Sequence, residues 1–271
     1  KKNLGQAGQY VLSPMSKEER VRFYKVSSFA LVGIVVLGWI ASTIGWLTIN
    51  TFSFVVTILG VIIPIFYFYF MLRSPKITSD EKSRLYAYIP LFLAAVIFWA
   101  IQEQGTYVLS KFADQRTELS FLGYEFSPAL FQSVNPLFII ALAPVFASIW
   151  IKLGDRQPTT LQKFSFGLVF AGLSFIVMML PGLLYGTEGL VSPLWLVFSF
   201  LLVVIGELLL SPVGLSATTK LAPSAFSAQT MSLWFMTNAT GQAVNAQIVK
   251  FYDRDTEVMY FGITGLVAVF F

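Results

Sequence analysis

Two glutamates stand in surroundings that give a carboxylate little to bind. Glu103 lies in the run Phe98-Trp99-Ala100-Ile101-Gln102-Glu103-Gln104-Gly105, with no charge from Leu91 to Ala100 and none after it until Lys111. Glu207 lies inside Leu201-Leu202-Val203-Val204-Ile205-Gly206-Glu207-Leu208-Leu209-Leu210. On insertion scales a charge at membrane depth costs roughly 2.5–3.5 kcal/mol unless it is protonated, paired or wetted. Two such groups in one membrane domain suggest a path for a proton or a charged substrate through the bilayer.

Polar neighbours recur around them at helical spacing. Trp99, Gln102, Glu103 and Tyr107 fall at i, i+3, i+4 and i+8, one helical face. Further on, Gln132 and Asn135 share a face, followed by Pro136 and Pro144; amides of this kind serve equally as interhelical glue or as ligand contacts. Glu207, Ser211 and Gly214 line up at i, i+4 and i+7, with Pro212 freeing a backbone carbonyl near the acid. Trp234, Asn238, Gly241 and Asn245 form a last stripe, suited to a pocket wall or to close helix packing. A structural ion pair for Glu103 would need a cation from outside these spans, since none carries Lys or Arg in its middle.

Catalysis lacks its parts. There is no His and no Cys, hence no imidazole chemistry near neutral pH and no disulfide or thiolate metal site. No phosphate-binding glycine loop and no acidic cluster with metal spacing occurs, so neither metal nor cofactor is expected. A shared-proton carboxylate dyad would have to bring acids from different helices together, which spacing alone cannot do. We expect no enzyme.

The elements that must hold these residues are membrane helices. The chain is 56% hydrophobic and 12% charged, where a soluble domain has roughly 25% charged residues, and its mean hydropathy is +0.73. Eight apolar segments can be drawn at 26–47, 51–72, 86–110, 128–151, 164–185, 193–217, 227–249 and 258–271. Ser16-Lys17-Glu18-Glu19 and Thr78-Ser79-Asp80-Glu81 read as capping boxes. Threaded as alternating spans from the inside, only Lys111, Arg116, Lys250 and Arg254 of the 18 Lys and Arg residues fall outside, which places the N-terminal end in the cytoplasm. Outer-loop charge then includes Glu188 and Glu257. The net charge of +4 follows from that topology, and nucleic acid is not an expected partner. Lys1 opens the chain and the last apolar run stops at Phe271, short of the ~20 residues a span needs. The expectation is a piece of a longer protein, cut at both ends.

The division expected is a cytoplasmic linker at 1–25, an extra transmembrane hairpin at 26–72, a second cytoplasmic linker at 73–85 and a bundle at 86–271 whose last helix is truncated. The hairpin has no ionisable residue in the middle of either segment. It reads as lipid-facing and dispensable for chemistry, with Trp39, Trp46, Phe66 and Tyr67 at its edges.

Several of these runs resemble one family. Phe98-Trp99-Ala100-Ile101-Gln102-Glu103-Gln104-Gly105 resembles the seventh-helix motif of the proton-coupled oligopeptide transporters, a branch of the major facilitator superfamily. Gln132-Ser133-Val134-Asn135-Pro136 is similar to their eighth helix, Gly206-Glu207-Leu208-Leu209-Leu210-Ser211-Pro212-Val213-Gly214-Leu215-Ser216 to their tenth, and Met231-Ser232-Leu233-Trp234 to their eleventh. The hairpin resembles the helix pair that bacterial members insert between two six-helix bundles.

The resemblance implies an all-α polytopic fold: the C-terminal six-helix bundle of the superfamily plus that hairpin, in a bacterial cytoplasmic membrane. It implies symport of di- and tripeptides with protons by alternating access. The partners are those peptides, protons, the lipid bilayer and the protein's own N-terminal bundle, and there is no cofactor beyond the proton gradient. Glu103 is then the proton-coupling residue. Glu207 and Asn135 would hold the peptide amino group, Trp99 and Trp234 would offer flat walls, and Gln102, Ser211 and Asn238 would complete the substrate contacts. Two rivals stand beside it: a major-facilitator carrier for another small hydrophilic solute, such as nitrate or a drug-like molecule, and a membrane receptor that does not translocate.

Overall fold

The computed structural model describes residues 15–121 and 124–271. The first fourteen residues of the expected 1–25 linker therefore lie outside the described residues. Nine α-helices are described: α1 (Lys17–Thr43), α2 (Ile49–Arg73), α3 (Ser79–Gln102), α4 (Val108–Arg116), α5 (Val134–Leu153), α6 (Thr160–Tyr185), α7 (Leu194–Leu221), α8 (Ser227–Ile248) and α9 (Glu257–Phe270). Two short strands, β1 (Ser120–Phe121) and β2 (Tyr124–Glu125), pair antiparallel between α4 and α5. The fold is helical throughout its apolar part, as expected, with only this ribbon and a Thr117–Val191 bridge added among the described residues.

Both expected capping boxes form. The Ser16 hydroxyl accepts from the Glu19 amide while the Glu19 carboxylate accepts from the Ser16 amide, and Thr78 and Glu81 repeat the exchange at the start of α3. Each exchange satisfies donors that a helix start otherwise leaves orphaned. Six spans are long and apolar enough to cross a bilayer, with α3 and α4 counted as one interrupted span. Helix α8 is not among them, because Ser, Thr, Asn and Gln recur along it. It can afford that polarity because α2, α3 and α7 cover it.

Helix α6 packs against both α7 and α9, and α3 is wedged between α6, α7 and α8. Phe98, Phe164, Phe175, Met178, Leu196 and Phe261 fill the centre. Two helices stay at the margin: neither α1 nor α5 buries a single residue. Helix α2 behaves otherwise. It buries Pro64, Phe68 and Met71 and lies along α8, so the expectation of a hairpin that merely faces lipid fails for α2.

A second correction concerns the expected helix at 86–110. It is broken after Gln102 by a 3-10 turn, Glu103–Thr106, before α4 begins. Gly105 sits at the break with the Phe200 ring close against it, where a Cβ would come within 3.3 Å of Cε1. Tyr107 therefore does not continue the face of Trp99, Gln102 and Glu103; it lies beyond the break and is 54% exposed.

Candidate functional site

The 3-10 turn is a hub. Four successive residues leave the end of α3 and each reaches a different element. The Gln102 amide donates from Nε2 to the Glu207 carboxylate on α7 at 2.9 Å. The Glu103 carboxylate accepts from Asn238 Nδ2 on α8 at 2.9 Å. Gln104 Oε1 accepts from the Tyr260 hydroxyl on α9 at 2.6 Å. The Gly105 carbonyl accepts from Gln132 Nε2, in the turn before α5, at 2.9 Å, and Gln132 also donates to the Ser110 hydroxyl. At about 100–120° per residue, successive positions fan around the helix axis, so each meets a different neighbour.

Glu103, Gln102, Glu207 and Asn238 therefore form one cluster, as the stripes on three separate segments suggested. Asn238 is held in turn by Gln242, whose Nε2 donates to its Oδ1 at 3.0 Å. Both acids are half-buried, and their partners among the described residues are neutral amides. Gln102 Oε1 and Gln104 Nε2 are buried and have no hydrogen-bond partner among the described residues. Among the described residues, no group of three or more acidic or imidazole or thiol side chains is placed to hold a metal ion.

The remaining site candidates are spread around this cluster. Asn135 and Ser211 are half-buried on α5 and α7 and make no side-chain hydrogen bond among the described residues. Trp99 is half-buried, with its ring edge-on to Phe98 at 5.5 Å. Trp234 is different. It is only 5% exposed, its six-membered ring covers Gly214 so closely that a Cβ there would overlap the indole, and Phe164 meets it edge-on. The expected flat wall is thus turned inward, into the α7–α8 contact. The small residue of one stripe is the seat for the large residue of the other.

Gln104 and Gln242 were not singled out, and Gln132 was noted only for sharing a face with Asn135. The run Gln102-Glu103-Gln104 was legible as polar, but a helix read straight through would have pointed Gln104 elsewhere. A further charged centre was misplaced altogether. Arg116 and Glu257, read as outer-loop charges, are 1% and 0% exposed and form an ion pair at 3.0 Å. Arg116 Nη2 also donates to the Gly186 carbonyl at 2.6 Å, and the Val191 amide donates to the Arg116 carbonyl at 2.7 Å. Arg254 donates to the Thr187 carbonyl at 2.6 Å and to that of Glu188. This centre ties α4, α9 and the α6–α7 connection together at the end of the bundle that charge bias places outside.

Comparison with known proteins gives this architecture its kin. A profile described as the POT family matches residues 11–267. An uncharacterized transporter of Bacillus subtilis (strain 168), YclF, is 54% identical over 99% of this chain and 54% of its own length. A di-/tripeptide transporter of Lactococcus lactis subsp. cremoris is 49% identical over 82% of this chain and 45% of its own. Among solved structures, the peptide transporter POT in complex with sulfate superposes with a TM-score of 0.88 at 59% identity, over 99% of this chain and 55% of that one. A POT family transporter in complex with a thioalcohol-conjugated peptide gives 0.88 at 43% identity, over 100% and 56%. The chain spans about half the length of the curated relatives it matches. The bundle with its extra helix pair is thus the major-facilitator arrangement seen in those transporters, and this chain belongs to the POT family of multi-pass membrane transporters.

Proposed function

We propose that the protein containing this chain carries di- and tripeptides across a bacterial cytoplasmic membrane in symport with protons, by alternating access, and that it is a carrier and not an enzyme. The observation that carries this reading is the joined pair of membrane carboxylates, each held by a neutral amide and neither by a cation among the described residues. Family membership supplies the substrate class, since relatives at 49% and 43% identity are di-/tripeptide transporters.

In this reading Glu207 meets the peptide amino group, with Asn135 beside it, in place of the bond it now accepts from Gln102. A charge-assisted hydrogen bond in a water-poor cleft is stronger than a neutral one, and an unmatched terminus is costly. The site thereby demands charged ends while tolerating many side chains, for which Trp99 offers a flat surface and Ser211 a small hydroxyl. The peptide carboxylate would be met by cations of the N-terminal six-helix bundle. Glu103 is the proton-coupling group, with Asn238 as its partner when the acid is ionised. Burial favours the protonated form of a carboxyl and a nearby arginine the ionised form. Rocking of the two bundles alternates those environments, which links proton movement to the cycle. No cofactor beyond the proton gradient is required.

In this reading the chain divides into a cytoplasmic linker at 1–25, whose Lys17–Lys25 part begins α1, a hairpin at 26–72, a second linker at 73–85, whose Ser79–Leu85 part begins α3, and the bundle at 86–271. The bundle alone would not transport. Uptake of a labelled dipeptide by the full-length protein in proteoliposomes tests the reading. Accumulation should need an inward proton gradient and be competed by unlabelled di- and tripeptides but not by nitrate. Nitrate competition would point to another carrier, and binding without accumulation to a receptor.

A further inference from the structure

We propose that α2 of the hairpin is a brace that sets the position of α8 against the Glu103 turn, with Gly60, Thr57 and Gln247 as positioning residues for the Asn238–Glu103 bond. The inference rests on the reading of Glu103 as the coupling group.

The two helices are joined by a polar ladder about two turns long. Thr240 of α8 donates its hydroxyl to the Gly60 carbonyl at 2.8 Å. Thr57 of α2 donates to the Ala243 carbonyl at 2.8 Å, and Gln247 Nε2 donates to the Thr57 hydroxyl at 2.8 Å and to Ser53 at 3.2 Å. At Gly60 the backbones approach so closely that a Cβ would lie 2.8 Å from the Ala243 Cβ. Small residues and interhelical hydrogen bonds are what bind helices where no hydrophobic effect separates helix from lipid. Such a ladder is not needed to keep an apolar hairpin in a membrane, and α1 makes none: it buries nothing.

The opposite flank of α8 has no slack either. Gly241, next to Thr240, lies against α3, where a Cβ would fall 2.9 Å from both the Ala100 nitrogen and the Val96 carbonyl oxygen. Helix α8 is therefore clamped between α2 and the last turn of α3. Asn238 projects from that clamped segment onto Glu103, at the point where α3 breaks. Close-packed contacts transmit displacement instead of absorbing it, so a change at Gly60 is felt at the Asn238–Glu103 bond.

Other charged groups do not compete for that role. From α8, Glu103 accepts from the neutral Asn238, which Gln242 holds in turn, and just beyond α8 Lys250 turns to Gln247. From α7 the nearby charge is Glu207, held by Gln102. From α4, Lys111 turns to Asp253 and Arg116 to Glu257.

The test uses the full-length protein in proteoliposomes, at matched amounts of folded transporter. The readout is the ratio of gradient-driven dipeptide accumulation to gradient-free exchange. Gly60→Leu pushes α2 away from α8. Thr57→Val with Gln247→Leu removes the Thr57 and Gln247 rungs at nearly constant volume, leaving that of Thr240, and serves if Gly60→Leu fails to fold. Gly38→Leu, on α1 where nothing lies within 4 Å, is the control. Both α2–α8 variants should lower the ratio roughly two- to thirtyfold, the range over which residues remote from a site alter coupling, and the control should leave it unchanged. If accumulation and exchange fall in proportion, the contact is only structural and the proposal is overturned. Glu103→Gln separates the two levels. If it is uncoupled while the α2–α8 variants keep the wild-type ratio, only the brace fails; if it keeps full accumulation, the reading of Glu103 fails and the brace with it.

Discussion

The bundle treats its buried acids in two ways. At one end Glu257 is fully enclosed, yet Arg116 Nε lies against it at 3.0 Å and Arg116 Nη2 also donates to the Gly186 carbonyl. In the middle Glu103 and Glu207 are less buried but have only amides for partners. A paired charge in a closed setting has one stable arrangement, and separating it is strongly unfavourable. An acid held by an amide can take a proton, or exchange the amide for a cationic ligand, without leaving a buried countercharge behind. The contrast is between an enclosed acid with its counterion beside it and two half-buried acids whose partners among the described residues are neutral amides.

Breaking the enclosed pair should have the largest effect. Arg116→Leu leaves Glu257 enclosed without a counterion and should destabilise the full-length protein by about 3–5 kcal/mol, seen as a large fall in thermal stability in detergent. The double variant with Glu257→Leu should recover most of it. An unchanged melting temperature for Arg116→Leu would erase the contrast between the two regions.

The half-buried acids should respond in binding instead of stability. Glu207→Gln replaces a charge-assisted bond by a neutral one, a loss on the order of 1–3 kcal/mol, or about tenfold to a hundredfold in affinity. It should affect peptides with free amino termini and spare N-acetylated ones, with little change in melting. Equal losses for both ligand classes would show that Glu207 reads something other than the amine.

The smallest effect is expected at the other end of α3, remote from both regions. There Thr78→Ala removes a cap and should lower stability by about 1 kcal/mol, leaving affinity and coupling unchanged. A coupling change from so remote a cap would mean that the cluster is far less insulated than its contacts indicate.

How far the sequence discloses this plan depends on the range of the interaction. Capping boxes are local, and those at Ser16 and Thr78 were legible residue by residue. Both acids were legible because a charge inside an apolar run is conspicuous in one dimension. The meeting of Gln102 with Glu207, and of Glu103 with Asn238, joins residues 105 and 135 positions apart; the stripes raised it without pairing their members. The break at Glu103–Thr106 escaped because a single glycine in a polar-apolar run does not by itself mark one, and the Phe200 ring that packs at Gly105 comes from another helix. Arg116 and Glu257 looked exposed for the same reason, being 141 positions apart in loop-like sequence. Trp234 read as a wall since periodicity gives a face but not what covers it, and the cover is Gly214. The apolar hairpin concealed its ladder because Thr57, Gly60 and Gln247 are unremarkable until the two helices touch.

The central claim is that Glu103 acts as the coupling group because only an amide holds it. Glu103→Gln in the full-length protein tests this most directly, by paired measurement of gradient-driven accumulation and gradient-free exchange of the same labelled dipeptide. The glutamine imitates a permanently protonated acid and keeps a partner for Asn238. Accumulation should therefore be abolished while exchange stays close to wild type. Full proton-driven accumulation by the variant would contradict the account and remove Glu103 from the coupling role.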